Sequence, residues 1–156
     1  KLDDVDHKIL DLLIDNSRIP FTDIAKKLLI SAGTVHVRVK KMEEFGIIKG
    51  ASLALDYKKL GYTFIAYIGV FLEKTHLTNY VLDKLESIPY TTVAHITTGR
   101  FNIFCKVRCK DTDHAKEIIF MIDDIEGVSR TETMISLEES INDKKRLMHK
   151  IFNEIK

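Results

Sequence analysis

Apolar residues recur at helical spacing through the first third of the chain, then give way to alternating and continuous apolar runs. Asp3 or Asp4 is placed to cap a first helix carrying Val5, Ile9, Leu12 and Leu13 on one face. Asn16-Ser17 favours a turn, and Pro20 favours an extended residue before it and a new start after it. A short second helix follows, with Phe21, Ile24, Ala25 and Leu28 inward and a tight connection at Leu29-Ile30. Ser31 caps a third helix whose inward stripe is Val35, Val39 and Met42, and Gly46 stands where a helix-ending glycine belongs. Ile47 to Leu55 alternates loosely and reads as a strand leaving this first unit.

Beyond it the strand signals strengthen. Residues 63–72 are rich in β-branched and aromatic side chains and read as a buried strand. A helix over about 77–87 comes next, with Val81, Leu82 and Leu85 inward. Strands at 91–98 and 101–109 meet at Gly99-Arg100, Asp111 opens a helix bearing Ala115, Ile118, Ile119 and Ile122, and Gly127 precedes a last strand at 128–137. The order βαββαβ is that of a ferredoxin-like split βαβ domain. The expected class is therefore α+β: an N-terminal helix-turn-helix, winged-helix-like unit and a C-terminal ferredoxin-like unit with an extra C-terminal helix. Boundaries fall at 1–50, a linker strand or hinge at 51–62, the α/β unit at 63–138 and an amphipathic helix at 139–156. That last helix carries Ile141, Met148, Ile151, Phe152 and Ile155, a stripe it cannot bury alone.

Composition narrows the class. The 156 residues are 45% hydrophobic and 30% charged, as in an ordinary globular protein. No apolar run approaches the ~18 residues of a membrane span, so no membrane partner is expected. The polar, acidic start Lys1-Leu2-Asp3-Asp4 does not resemble a signal peptide. Cys105 and Cys109, four apart in one expected strand, lie about 13 Å apart, too far for a disulfide. They read as small buried hydrophobes, which fits a reducing, cytoplasmic compartment. The six histidines at 7, 36, 76, 95, 114 and 149 show no metal-ligand spacing, and no phosphate loop or nucleophile elbow is present. Neither a metal nor a cofactor is expected.

Charge matters by its distribution. The net charge is +1, yet residues 26–41 carry Lys26, Lys27, Arg38, Lys40 and Lys41 without an acid among them. If Val35, Val39 and Met42 face inward, Gly33, Val37, Lys40 and Lys41 face out, flanked by Thr34, His36 and Arg38. Ser31, Gly33 and Thr34 occupy the first turn, where a recognition helix approaches base edges of double-stranded DNA. Gly33 lets the backbone come close, and Thr34 suits a phosphate or a thymine methyl. Arg38 and Lys41 suit phosphates, and Arg38 is long enough to reach guanine instead. His36 and Lys40 are placed for phosphate or solvent.

The order and spacing of several short stretches resemble the Lrp/AsnC (leucine-responsive/asparagine regulator, feast-famine) family of transcription factors. They are Leu2-Asp3…Asp6…Ile9-Leu10…Leu13, Asn16-Ser17-Arg18, Ile24-Ala25, Ile30-Ser31…Thr34-Val35…Arg38-Val39…Met42-Glu43 and Gly46-Ile47-Ile48…Gly50. Leu60-Gly61, Thr98-Gly99 and Gly127-Val128…Thr131…Thr133 extend the likeness over nearly the whole chain. The resemblance implies a transcriptional regulator whose DNA binding or assembly responds to a small effector, usually an amino acid. It also implies a sheet-to-sheet homodimer that commonly assembles to an octamer.

A two-residue turn at Gly99-Arg100 would set Thr98 opposite Phe101, Ile96 opposite Ile103 and Ala94 opposite Cys105, an apolar face expected under the helices. The other face pairs Thr97 with Asn102, His95 with Phe104 and Val93 with Lys106. With Tyr67 from the first strand, His95 and Phe104 mark a bare face expected to be covered by a second subunit. The family places its effector near a Thr-Gly-x-(Tyr/Phe)-Asp hairpin, represented here by Thr98, Gly99, Arg100, Phe101 and Asn102. An amide thus replaces the acid, and Met134 or Ser136 of the last strand is expected to contribute. Two other readings stand beside this one: a ligand-insensitive architectural DNA-binding protein, and a sirohaem-decarboxylase-like enzyme drawing on His95, Arg100 and Lys106.

Overall fold

A computed structural model describes residues 1–155, and the chain divides into two compact units. One is Lys1–Ala54 together with the C-terminal segment from Ser140; the other is Leu55–Glu139.

The first unit opens with α1 (Asp4–Asp15). Of the two capping candidates, Asp3 does the work. Its carboxylate accepts the Asp6 N–H at 2.9 Å, and the Asp6 carboxylate accepts the Asp3 N–H at 3.1 Å. After Pro20 comes α2 (Phe21–Leu28), which ends on Leu29 in the left-handed region at φ 57. Ser31 then starts α3 (Ala32–Glu44), its hydroxyl accepting the Thr34 N–H at 3.0 Å. Gly46 at φ 76 closes it in a Schellman pattern: Gly46 N–H donates to the Glu43 carbonyl and Ile47 N–H to that of Met42. The expected inward residues Ile9, Ile24, Ala25, Val35, Val39 and Met42 form one buried core.

Two expectations in this unit fail. No strand forms over 47–55 or within the 51–62 linker; among the described residues none precedes Phe64. A strand needs a hydrogen-bonded neighbour, and none is supplied to these residues among the described residues. The C-terminal helix, α6 (Lys145–Ile155), starts later than expected and packs on α1 within the same unit. Of its apolar stripe, Met148 and Phe152 are half-buried. Lys156 and the side chain of Ile155 lie outside the described residues.

The second unit is the anticipated βαββαβ. Its elements are β1 (Phe64–Leu72), a 3-10 turn at Thr75–Leu77, α4 (Thr78–Glu86), β2 (Thr91–Ile96), β3 (Ile103–Cys109), α5 (Thr112–Asp123) and β4 (Val128–Ile135). The strands lie in the order β2-β3-β1-β4, every neighbour antiparallel. Val81 and Leu85 of α4 and Ala115, Ile118 and Ile122 of α5 cover one sheet face. That face is built from Ala66, Ile68, Val70, Ile103, Cys105, Val107 and Cys109. Each fully buried aliphatic side chain contributes about 1.5–3 kcal/mol. The two cysteines are buried and free, and burial raises both thiols, Cys105 to about 11.

The hairpin register is as expected at Ile96↔Ile103, His95↔Phe104, Ala94↔Cys105 and Val93↔Lys106. Its tip is not a two-residue turn. Thr97 N–H still donates to the Asn102 carbonyl, but the Thr97 hydroxyl then takes the Phe101 carbonyl at 2.8 Å, so Thr98 and Phe101 never pair. On β2 the helix-side residues Ala94 and Ile96 are exposed, because β2 is the sheet edge and its contact with α4 does not cover them.

Candidate functional site

Along α3 the first-turn residues Ser31, Gly33 and Thr34 are exposed, and the Ser31 and Thr34 hydroxyls lie 2.8 Å apart. His36 leans on Phe21 of α2 with ring centroids 6.0 Å apart, which ties its ring to the fold. Val37 is exposed, as are Lys40 and Lys41. None of Lys26, Lys27, Lys40 and Lys41 is held in an ion pair among the described residues.

Arg38 corrects the sequence reading. Its guanidinium turns back to α1, where one nitrogen lies 2.6 Å from both Asp3 carboxylate oxygens and 3.2 Å from Asp6. This bond to Arg38, seconded by the Asp6 N–H, pulls the Asp3 carboxyl down to about 2. Asp3 thus caps α1 and anchors α3 with the same carboxylate. In this conformation Arg38 holds the helix in place and does not reach toward a guanine. Residue type alone gave no sign of this tie, because Asp3 and Asp6 lie more than thirty positions before Arg38.

In the second unit, the uncovered sheet face bears a strip of rings. Tyr67 and Phe104 stack with centroids 5.9 Å apart, Phe104 and Phe101 are 5.8 Å apart, and Phe101 meets Phe71 edge-on at 5.3 Å. Phe101 was expected on the helix side. It lies instead over Gly69, where an added Cβ would come within 2.2 Å of its ring. A glycine in a strand is here the seat of an aromatic ring. His95, opposite Phe104, is exposed.

Thr98, Gly99 (φ 91) and Arg100 form the exposed hairpin tip. Asn102 is occupied by the fold, since its side-chain oxygen accepts the Leu72 N–H at 2.9 Å and its own N–H donates to the Val70 carbonyl. Arg100 pairs with Glu132, which also takes Arg130 at 3.0 Å, and both guanidinium groups lie over the Phe71 ring. The Arg100 bond, then that of Arg130, hold the Glu132 carboxyl below its usual range. Met134 and Ser136 are not brought to this tip. Met134 stands opposite Tyr67 and Ser136 donates to the Ile65 carbonyl, further along the sheet. Glu132 is the member of β4 that meets the tip, through Arg100, and it also holds Arg130. Of the residues the enzyme reading needed, Arg100 is held by Glu132 and Lys106 by Glu139 at 3.3 Å, while His95 stands apart on the open face.

Comparison with known proteins assigns both units. Residues 2–49 match the winged helix-turn-helix DNA-binding family and residues 65–145 the Lrp/AsnC ligand-binding domain. The chain belongs to the Lrp/AsnC family. It is 38% identical over 141 residues to the regulatory protein AsnC of Escherichia coli, covering 90% of this chain and 93% of that protein. The solved structure of E. coli AsnC superposes with a TM-score of 0.89 at 37% identity, covering 91% of this chain and 96% of that one. An HTH-type transcriptional regulator of Pyrococcus furiosus is 32% identical over 88% of this chain and 90% of its own length. The fold is shared with a feast or famine regulatory protein from M. tuberculosis complexed with L-methionine. There the TM-score is 0.85 at 21% identity, covering 92% of this chain and 97% of that one. This Lrp/AsnC protein is accordingly a DNA-binding transcriptional regulator. No helix among its described residues is long and apolar enough to cross a membrane.

Proposed function

We propose that α3 reads the major groove, with Ser31, Gly33, Thr34 and Val37 against base edges and Lys40 and Lys41 on phosphates. The observation that carries this reading is the outer face of α3: exposed, without an acid through Lys41, and led by a firmly capped first turn. Arg38 acts here as a positioning residue that sets α3 on α1. A salt titration of Lys40→Ala and Lys41→Ala on random and promoter duplexes tests it. Each lost phosphate contact should lower the log–log salt slope by about 1 and weaken all sequences alike. Slopes unchanged in both variants would place the interface elsewhere.

The second unit is read as the effector and assembly domain. A second copy covers the open face through Tyr67, His95 and Phe104, and a small amino acid or related metabolite binds beside Gly99–Asn102. An amino acid needs a cation for its carboxylate and an acid for its ammonium. Asn102 supplies no charge, but Arg100, Arg130 and Glu132 supply both signs at the same tip. L-Methionine in the M. tuberculosis fold neighbour is a ligand of this class. Calorimetry with the common amino acids on the wild type and Glu132→Gln checks the assignment. Binding unaffected by the loss of the carboxylate would move the pocket.

A further inference from the structure

Apart from its first residue, α6 lies beyond the family match, which ends at residue 145. It belongs to the DNA-binding unit, amphipathic and laid along α1. His149 sits at the seam. Its Nδ1 is 2.6 Å from a carboxylate oxygen of Asp11 and its Nε2 is 3.1 Å from one of Asp15. Ionised carboxylates only accept hydrogen bonds, so both ring nitrogens must carry a proton, and the ring in this arrangement is an imidazolium. The two acids face different nitrogens of the ring, an ion-pair arrangement that cannot converge on one metal ion.

The α1 side has its own need for this cation. Asp11 and Asp15 are like charges one turn apart at the end of a helix where the macrodipole is already negative, and the last turn of α1 holds no basic residue. The other charged groups about the seam do not replace His149. Lys8 of α1 is engaged by Asp4 at 2.9 Å, and on α6 Lys150 pairs with Glu154 at 3.6 Å. Lys145 and Arg146 stand exposed one turn before His149, and burial of the ring works against its charge. The bonds from Asp11, then Asp15, prevail, and the ring is held above its ordinary range.

We propose that α6 is a proton-gated latch on the DNA-binding unit: it docks on α1 while His149 is an imidazolium bridging Asp11 and Asp15, and releases when that proton leaves. Deprotonation leaves one ring nitrogen as an acceptor facing a carboxylate, and two uncompensated acids at the end of α1. The same helix is tied at its start to α3 by Asp3, Asp6 and Arg38, so the latch acts on the element that seats the reading helix. The group's folded-state pKa is raised, so docking is complete below the ordinary histidine value of about 6.5 and is lost as pH rises through the raised value. Each unit of elevation corresponds to about tenfold weaker docking after full deprotonation.

The regulatory half rests on the DNA-binding reading above, so the test has two arms on the full chain. In the first, carbon-13-labelled histidine NMR follows the His149 ring and the Overhauser contacts between α1 and α6 from pH 5.5 to 8.5. The ring should titrate above 6.5, with the contacts disappearing in step. His149→Gln should lack them at every pH, and Asp11→Asn with Asp15→Asn should return the ring to ordinary titration. A ring titrating at or below 6.5, or contacts that outlast its proton, would overturn the latch. In the second arm, duplex affinity should fall with pH in the wild type and lie flat, at the lower level, in His149→Gln. Equal pH dependence in the two proteins would overturn the regulatory role. Absence of duplex binding by both at all pH values would count against the DNA-binding reading alone, and the first arm would still decide the latch.

Discussion

Arg38→Ala and Lys41→Ala should separate stability from DNA affinity. Arg38 is bonded to both Asp3 oxygens and to Asp6, so its truncation should lower the melting temperature and let the Asp3 carboxyl return toward 3.8. Lys41→Ala should leave melting unchanged and reduce the salt slope. The Asp3 carboxyl is depressed in the fold, so its stabilising effect is present above 3.8 and is lost as pH falls through about 2. NMR titration of Asp3 in wild type and Arg38→Ala reads this directly; a value near 3.8 in both would deny the tie. A second residue-scale prediction concerns Gly69. Gly69→Ala must push the Phe101 ring off its seat, and overpacking of this kind costs about 1–3 kcal/mol. Denaturant unfolding that finds no loss would mean that the ring swings away freely. Neither role was legible from residue type. Arg38 looked like a phosphate contact because its charge was visible and its partners, over thirty positions away, were not. Gly69 had no visible reason to be a glycine until Phe101 crossed to its face.

Elements governed by their own few residues were legible. Caps at Asp3, Ser31 and Asp111 and the end of α3 at Gly46 all follow from local chemistry. Leu29 is the local exception: it is an exposed leucine held in the left-handed region between α2 and α3. Its side chain is 91% exposed, so little packing is lost when it is removed. Leu29→Gly should therefore relieve about 1–2 kcal/mol of backbone strain, partly offset by about 0.4–1 kcal/mol from the freer unfolded chain. A net gain in thermal stability is expected, and a loss would show that the leucine packs in a way its exposure hides. Elements that depend on a distant partner were not legible. The alternation at 47–55 implied a strand, but without a neighbouring strand it remains irregular. The apolar stripe of α6 announced that something would cover it and could not say that α1 would.

At the scale of the whole molecule, the open sheet face should decide assembly, and assembly should decide DNA binding. Tyr67, Phe71, Phe101 and Phe104 are half-buried against one another within the chain and share the face that neither α4 nor α5 covers. A contiguous aromatic strip of this kind marks an interaction surface, and a sheet closed by its own copy would make the contact isologous. Two-fold pairing would also present two α3 helices to half-sites about one helical turn apart, or a multiple of it. The substitution pair Tyr67→Glu with Phe104→Glu places carboxylates on the strip without touching the buried face of the sheet. Sedimentation should then show a monomer where the wild type is a dimer or larger, with circular dichroism unchanged. The salt slope on duplex DNA should fall to about half, because phosphate contacts from one α3 replace those from two. A variant that stays assembled would move the interface off this face. A monomer that keeps the full slope would mean that a single copy makes all the phosphate contacts, leaving the pairing of subunits to serve the effector rather than the DNA.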